Sequence, residues 1–306
     1  MTPCFSIWAE CADGHTSPEL DLHLNLWKPN RTVRQRVRRA SVLRSNKHLL
    51  DIGIKFTSDT RRIFVYVPFF VDRSKLVDLG GLLSKQSVLN AVFNEDFSVL
   101  SRSSGKVFNV RDARAEKDVF SVYELDIESH AGDIELEYFS TGTILAFNVE
   151  NYSLPQSVPG YIRFRITDGV TKALTTTYKP QGSFFQSAFS TTEIIDIRVN
   201  ESRNTDKSLL QKMKTGSLVS FGKVHLFVLR DIEDNLVESH GSNRENVPQV
   251  VRLSEWNQII VLSGHRLRND IFFRRREGRE KSGEFFAAVD AAKSFFLDQE
   301  LRGRPA

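Results

Sequence analysis

The sequence predicts an α+β fold in which strands dominate, because apolar and polar residues alternate along many short segments. In residues 20–26, four leucines alternate with Asp21, His23 and Asn25, which is the spacing of a strand with one buried face. Glycine, serine and aspartate separate the alternating segments, as is typical of turns. The chain has 306 residues, of which 23 are Phe, so it can fill a substantial core.

Most of the chain follows the same strand pattern. Ten further segments predict strands: residues 49–56, 63–71, 88–100, 119–127, 134–139, 143–149, 161–166, 183–189, 193–200 and 223–230. Residues 206–214 predict a short helix that Asp206 caps at its N-terminus. Residues 284–301 predict an amphipathic helix, because Phe285, Val289 and Phe296 recur at helical spacing.

The middle of the chain carries the clearest break. Pro155, Pro159 and Gly160 interrupt the strand pattern there, as is common between domains. We therefore predict two β-rich domains, residues 1–153 and residues 154–306, the second of which ends in the amphipathic helix.

Charge is distributed unevenly. Residues 28–62 hold eleven Lys and Arg against two acids, whereas residues 116–150 hold nine acids against one Lys. The formal net charge of +4 permits an anionic partner without requiring one. The distribution therefore predicts a basic block and an acidic block.

The acidic block predicts a hairpin, residues 124–137, with six carboxylates on one face. Three alternate with apolar residues on each side of a turn, namely Glu124, Asp126 and Glu128, then Asp133, Glu135 and Glu137. Facing carboxylates repel, so the basic block, a basic partner or a divalent metal is expected to neutralise them. A solvent or protein-docking face is the favoured interpretation, and the alternative is the centre of a metal-dependent, nuclease-like enzyme.

Two sets of residues are candidates for binding phosphate or another anion. The first lies in the basic run from Arg31 to Arg44 and comprises Arg34, Arg36, Arg38 and Arg39. The second comprises Tyr161, Arg163 and Arg165, which alternate along one predicted strand and therefore share a face. In the alternative interpretation both sets are solvated surface, or they pair with the acidic hairpin within the same chain.

The sequence contains no nucleophile elbow, P-loop, dinucleotide-binding glycine motif or zinc-protease helix. We therefore predict no catalytic residue, no metal ligand and no cofactor. The favoured function is a non-enzymatic binding or sensing module with a protein partner. The chain as a whole resembles accessory proteins of bacterial defence systems, which implies a role in antiviral defence. The alternatives are a nucleic-acid-binding protein that uses the basic run and a metal-dependent enzyme at the acidic hairpin.

The location of the protein is predicted from its termini and its cysteines. No window approaches 18 uncharged apolar residues, and the N-terminus lacks the pattern of a secretion signal. Two cysteines, Cys4 and Cys11, cannot form enough disulfide bonds to stabilise a fold of this size, which fits a reducing compartment. We expect a cytoplasmic protein without a membrane segment, and its oligomeric state stays open.

Overall fold

The computed structural model describes twelve stretches of the chain, which together hold strands and a few short helices. They are residues 4–12, 18–28, 48–100, 105–129, 132–150, 158–178, 190–201, 205–229, 234–241, 249–251, 259–261 and 268–276. Strands dominate them, so the predicted α+β, β-dominated class is confirmed. No helix in these stretches is long and apolar enough to cross a membrane.

The elements follow one another in this order. The strands are β1 (Ser6–Cys11), β2 (Glu19–Trp27), β3 (Leu49–Phe56), β4 (Thr60–Val67), β5 (Leu76–Asp78), β6 (Phe97–Val99), β7 (Val107–Asp112), β8 (Asp118–Tyr123), β9 (Ile134–Phe139), β10 (Gly142–Asn148), β11 (Gly160–Ile166), β12 (Thr175–Tyr178), β13 (Ser190–Arg198), β14 (Ser217–Leu218), β15 (Ser220–Leu229), β16 (Asp234–Gly241), β17 (Gln249–Val251), β18 (Ile259–Val261) and β19 (Arg268–Arg276). The α-helices are α1 (Gln86–Phe93), α2 (Val170–Leu174) and α3 (Lys207–Met213).

Two large sheets pack face to face around the main core. The five-stranded sheet has the order β14-β1-β4-β10-β9, and the eight-stranded sheet runs β15-β2-β3-β11-β8-β7-β6, with β5 paired to β11. Alternation turns Ile63, Val65 and Phe147 inward from the first sheet and Leu22, Leu24 and Phe164 inward from the second. These side chains are buried together, which explains the strict alternation in the sequence.

A helix covers part of each outer face. On the five-stranded sheet, Leu209 and Met213 of α3 pack against Trp8 and Phe64. On the eight-stranded sheet, Leu89 of α1 packs into a second cluster on β7, β8 and β11. The remaining outer face of β2, β3 and β11 carries polar side chains, and the candidate site lies there.

The pairing of strands crosses the middle of the chain. Strand β15 pairs in parallel with β2, β14 pairs with β1, and β11 joins β3 to β8. Both large sheets therefore contain strands from each side of the predicted boundary at residue 153. The division into two domains stays a prediction.

The sequence-based elements are partly confirmed. Residues 49–56 and 134–139 form strands with the predicted bounds, and the Asp206 carboxylate caps α3 by accepting from the Ser208 amide at 2.7 Å. The strand predicted at residues 88–100 is wrong, because its first half is helix α1 and only Phe97–Val99 is a strand. The predicted strand at 183–189 and the C-terminal helix at 284–301 lie outside the described residues.

We expect Phe147→Ala to lower the free energy of unfolding by about 3–5 kcal/mol, because truncating a buried aromatic leaves a cavity between the two sheets. Phe147 is fully buried, and its ring lies 4.7 Å from that of Phe164 on the opposite sheet. Phe70→Ala is the control, since Phe70 is 62% exposed and its loss should cost less than about 0.5 kcal/mol. Equal effects in denaturant titrations would contradict the packing described.

Candidate functional site

The predicted residues Tyr161, Arg163 and Arg165 lie together on β11, on the outer face of the eight-stranded sheet. Tyr161 and Arg163 are buried, however, and Arg165 is nearly so. The alternative interpretation of an exposed face that pairs with the acidic hairpin is therefore wrong. The other predicted site residues, Arg34, Arg36, Arg38 and Arg39, lie outside the described residues.

A single carboxylate serves both arginines. Asp51 lies opposite Arg165 on the neighbouring strand β3. Its Oδ1 accepts from Arg165 Nε at 2.6 Å, and its Oδ2 accepts from Arg165 Nη2 at 3.0 Å. Arg163 Nη2 lies 3.6 Å from the same Oδ2. Asp51 is almost fully buried. The contribution of this ion pair to the stability of the fold therefore depends on whether its hydrogen-bond geometry offsets the cost of desolvating the charges.

Strand β2 completes the surroundings of Asp51. The indole Nε1 of Trp27 donates to Asp51 Oδ2 at 2.8 Å, and the Arg165 guanidinium lies 5.7 Å from the centre of the Trp27 ring. When the Asn25 amide is oriented to satisfy both of its groups, its oxygen accepts from Arg163 Nη2 at 2.8 Å. The cluster thus joins three adjacent strands, β2, β3 and β11.

The hydroxyl of Tyr161 extends the cluster across β3. It accepts from Arg163 Nη1 at 3.1 Å and lies 3.2 Å from Nδ1 of His23 on β2. This reach requires Gly53 between them, because a Cβ at Gly53 would lie 2.0 Å from the Tyr161 oxygen. A residue without a side chain is thus what lets Tyr161 cross to His23.

Cations and carboxylates are mixed on this face, where Lys55, Arg163 and Arg165 lie with Asp21 and Asp51. Burial holds the pKa of His23 well below its usual value, and the charges of His225, Arg163, Lys55 and Lys223 lower it further. His23 is therefore neutral at pH 7. Arg163 and Arg165 share the carboxylate of Asp51, so the cluster as a unit carries an excess of one positive charge.

A second buried carboxylate contacts the two residues that flank the basic run, one before it and one after it. Glu193 on β13 contacts Lys28 Nζ at 2.5 Å through Oε2 and His48 Nε2 at 2.9 Å through Oε1. Lys28 follows Trp27 directly, and Trp27 pairs with Leu49 as the last register pair of β2 and β3. Glu193 therefore holds both ends of the connection that contains the basic run, next to the arginine cluster.

The predicted acidic hairpin is present only at its turn, where the Asp133 amide donates to the Asp126 carbonyl at 3.1 Å. Strand β8 ends at Tyr123 in the eight-stranded sheet, whereas β9 belongs to the five-stranded sheet and pairs with β10. Alternation in the sequence indicated two strands but carried no information on their partners. The six carboxylates consequently do not share a face.

Cations from other parts of the fold neutralise four of these six carboxylates. Lys106 Nζ lies 3.6 Å from Asp126 and 3.8 Å from Asp133. Arg62 donates to Glu135 at 2.8 Å, and Lys212 of α3 contacts Glu137. In the described part of the chain, no three His, Cys, Asp or Glu side chains are grouped so that they could hold a metal ion.

Sequence reasoning missed Asp51 and Glu193, and it considered Trp27 as a stacking surface beside Lys28 rather than as a partner of Asp51. Asp51 does alternate with buried Leu50 and Ile52, which places it on the polar face of its strand. The sequence does not show that β3 lies beside β11, and only this neighbourhood brings Asp51 to the arginines. Glu193 had no sequence signal that set it apart from other strand carboxylates.

We expect Asp51→Asn to lower the free energy of unfolding by about 3–5 kcal/mol, because it leaves two guanidinium groups without their buried counter-charge. Asp118→Asn is the matched control, since Asp118 forms a partly exposed pair with Arg111 at 3.1 Å and its loss should cost only about 0–1 kcal/mol. Denaturant unfolding measures both variants. Equal losses would show that Asp51 does not hold the cluster together.

The lowered pKa of His23 predicts a loss of stability in acid. The unfolded chain takes up a proton below the usual His pKa of 6.5, whereas the folded chain resists it, so stability falls as the pH drops below that value. His23→Gln keeps a hydrogen-bonding group for Tyr161 and does not titrate. We expect its Tm to fall less than that of the wild type between about pH 7.5 and about pH 5.5. Parallel Tm curves would contradict the burial of His23.

The chain matches no protein-family model, and no curated protein is significantly similar to it.

Proposed function

We propose that this chain is a non-enzymatic module that binds a polyanionic partner, with nucleic acid as the favoured class. The observation that carries the proposal is the pair of contacts from Glu193 to Lys28 and His48, which fixes both ends of the basic connection. Residues 29–47 of that connection contain seven Lys and Arg and no acid. The connection therefore starts and ends beside the electropositive arginine cluster.

The chemistry of binding follows from this charge. Several arginines close together neutralise phosphates and release the counterions that surround a nucleic acid, which gives affinity without reading sequence. Arg163 and Arg165 support this role by keeping positive charge on the sheet near Trp27, which directly precedes Lys28. Both side chains are largely buried and donate to Asp51, Tyr161 and Asn25, so they contribute to the electrostatic field rather than to direct contacts.

Two other functions have less support. A metal-dependent enzyme at residues 124–137 would need clustered carboxylates, but only Glu135 and Glu137 lie on a strand, and four of the six carboxylates pair with cations. A place in bacterial defence stays a prediction that no contact in the molecule favours. A cytoplasmic location is part of the proposal and is supported by the free thiols of Cys4 and Cys11.

Binding should fall steeply with salt and depend on the basic run. We expect replacement of Arg34, Arg36, Arg38 and Arg39 by Ser to weaken binding to a mixed-sequence DNA duplex. It should also reduce the slope of log affinity against log salt by up to about 3.6, because each lost phosphate contact removes about 0.9. Fluorescence anisotropy of a labelled duplex, repeated with a single strand, measures both quantities.

A matched control removes the same charge elsewhere. Arg114, Lys117, Lys207 and Lys214 are exposed, and their replacement by Ser lowers the net charge equally. This variant should keep most of the affinity and of the salt slope. If both quadruple variants bind alike, or if the wild type binds neither duplex nor single strand at low salt, the proposal is wrong.

A further inference from the structure

Strand β9 is the terminal strand of the five-stranded sheet. The carbonyl of Ile134 points away from β10, because it accepts from Arg73 Nη2 at 2.7 Å. Backbone groups of alternate residues point the same way, so the amide and carbonyl groups of Leu136 and Tyr138 also face away from β10. In the described part of the chain, no neighbouring strand covers them. This edge offers two donors and two acceptors to an added strand.

The side chains of β9 differ between its two faces. Ile134 is buried in the core, Leu136 packs against that core, and Tyr138 on the same face is 56% exposed. On the opposite face the side chains of Glu135 and Glu137 are 71% and 51% exposed. An added strand would thus meet an apolar row on one side and two carboxylates on the other.

A cleft of about 330 Å³ adjoins the carboxylate side. Trp8 and Phe64, whose rings stack at 5.1 Å, line it together with Glu135 and Glu137 and with the cations that contact these glutamates, Arg62 and Lys212. Arg62 packs over the Phe64 ring at 5.1 Å, and β10 and β9 lie between that ring and the edge, so a cation of an added strand would meet Glu135 or Glu137 rather than the rings.

We propose that the β9 edge binds an extended peptide of a partner protein, in which Lys or Arg alternates with apolar residues. The peptide would add as a sixth strand, with its apolar residues beside Leu136 and Tyr138 and its cations beside Glu135 and Glu137. The contacts of Glu135 with Arg62 and of Glu137 with Lys212 each use Oε2. A carboxylate has about four acceptor sites, so each glutamate can also take a cation from the peptide.

The same glutamates oppose pairing of β9 with β9 of a second copy. Antiparallel pairing across a twofold axis would place Glu135 and Glu137 of one chain opposite those of the other, and facing like charges destabilise a sheet. Charge therefore selects a basic strand over self-association.

The test uses a labelled synthetic hexapeptide in which Arg and Val alternate, with blocked ends. The full chain should bind it in fluorescence anisotropy, and the double variant Glu135→Gln and Glu137→Gln should weaken binding roughly two- to thirtyfold. Replacing the exposed residues Glu116 and Glu128 by Gln removes the same charge elsewhere and should leave binding unchanged. A peptide with N-methyl groups on alternate amides, placed to block the ladder, should not bind.

Charge reversal gives the sharpest outcome. Glu135→Lys with Glu137→Lys should abolish binding of the Arg peptide and create binding of the corresponding Glu–Val peptide. The proposal is overturned if the N-methylated peptide binds as well as the parent or if charge reversal does not change the preference. It is also overturned if the chain alone forms a dimer that this reversal disrupts, since the edge would then belong to a second copy. All these variants lie outside the basic run, so failure here is independent of nucleic-acid binding.

Discussion

The shared carboxylate of Asp51 is the interaction on which the outer face of the eight-stranded sheet depends. Two arginines at alternate positions of a central strand would each carry a large desolvation cost if they were buried alone. Asp51 on β3 and the amide of Asn25 accept from these guanidinium groups, and the indole of Trp27 donates to the same Asp51. Strands β2, β3 and β11 are therefore held in one order by polar contacts on one face as well as by apolar packing on the other.

The same face explains why β3 contains a glycine at its centre. Gly53 lies between His23 and Arg163 in the register of the sheet, and it leaves the space that the Tyr161 hydroxyl occupies. The ring of Tyr161 belongs to the apolar cluster under α1, while its hydroxyl belongs to the arginine cluster. One side chain thus connects the two halves of the outer face, and Gly53, which weakens a strand locally, makes that connection sterically possible.

Local pattern predicted much of the fold but none of its pairing. Alternation located β2, β3, β9 and β11 because one face of each strand is buried, and the Asp206 cap marked the start of α3. It failed for α1, where Val88, Leu89, Val92 and Phe93 follow helical spacing within a short apolar run that also suits a strand. For the site, it placed Tyr161, Arg163 and Arg165 on one face correctly. Their burial depends on Asp51, which only the tertiary pairing of β3 with β11 brings near.

Local sequence pattern also did not show how charge is divided between the two sheets, because that division depends on strand pairing. Carboxylates that are neighbours in sequence are divided, with Asp126 after β8 and Glu135 on β9, and the cations that neutralise them come from β4, α3 and Lys106. The positive excess on the eight-stranded sheet and the exposed glutamates on the edge of the five-stranded sheet therefore belong to different surfaces. Arg62 and Lys212 lie with the glutamates of the five-stranded sheet, and Asp51 lies with the arginines of the eight-stranded sheet, so the ion pairs form within each surface rather than across the core.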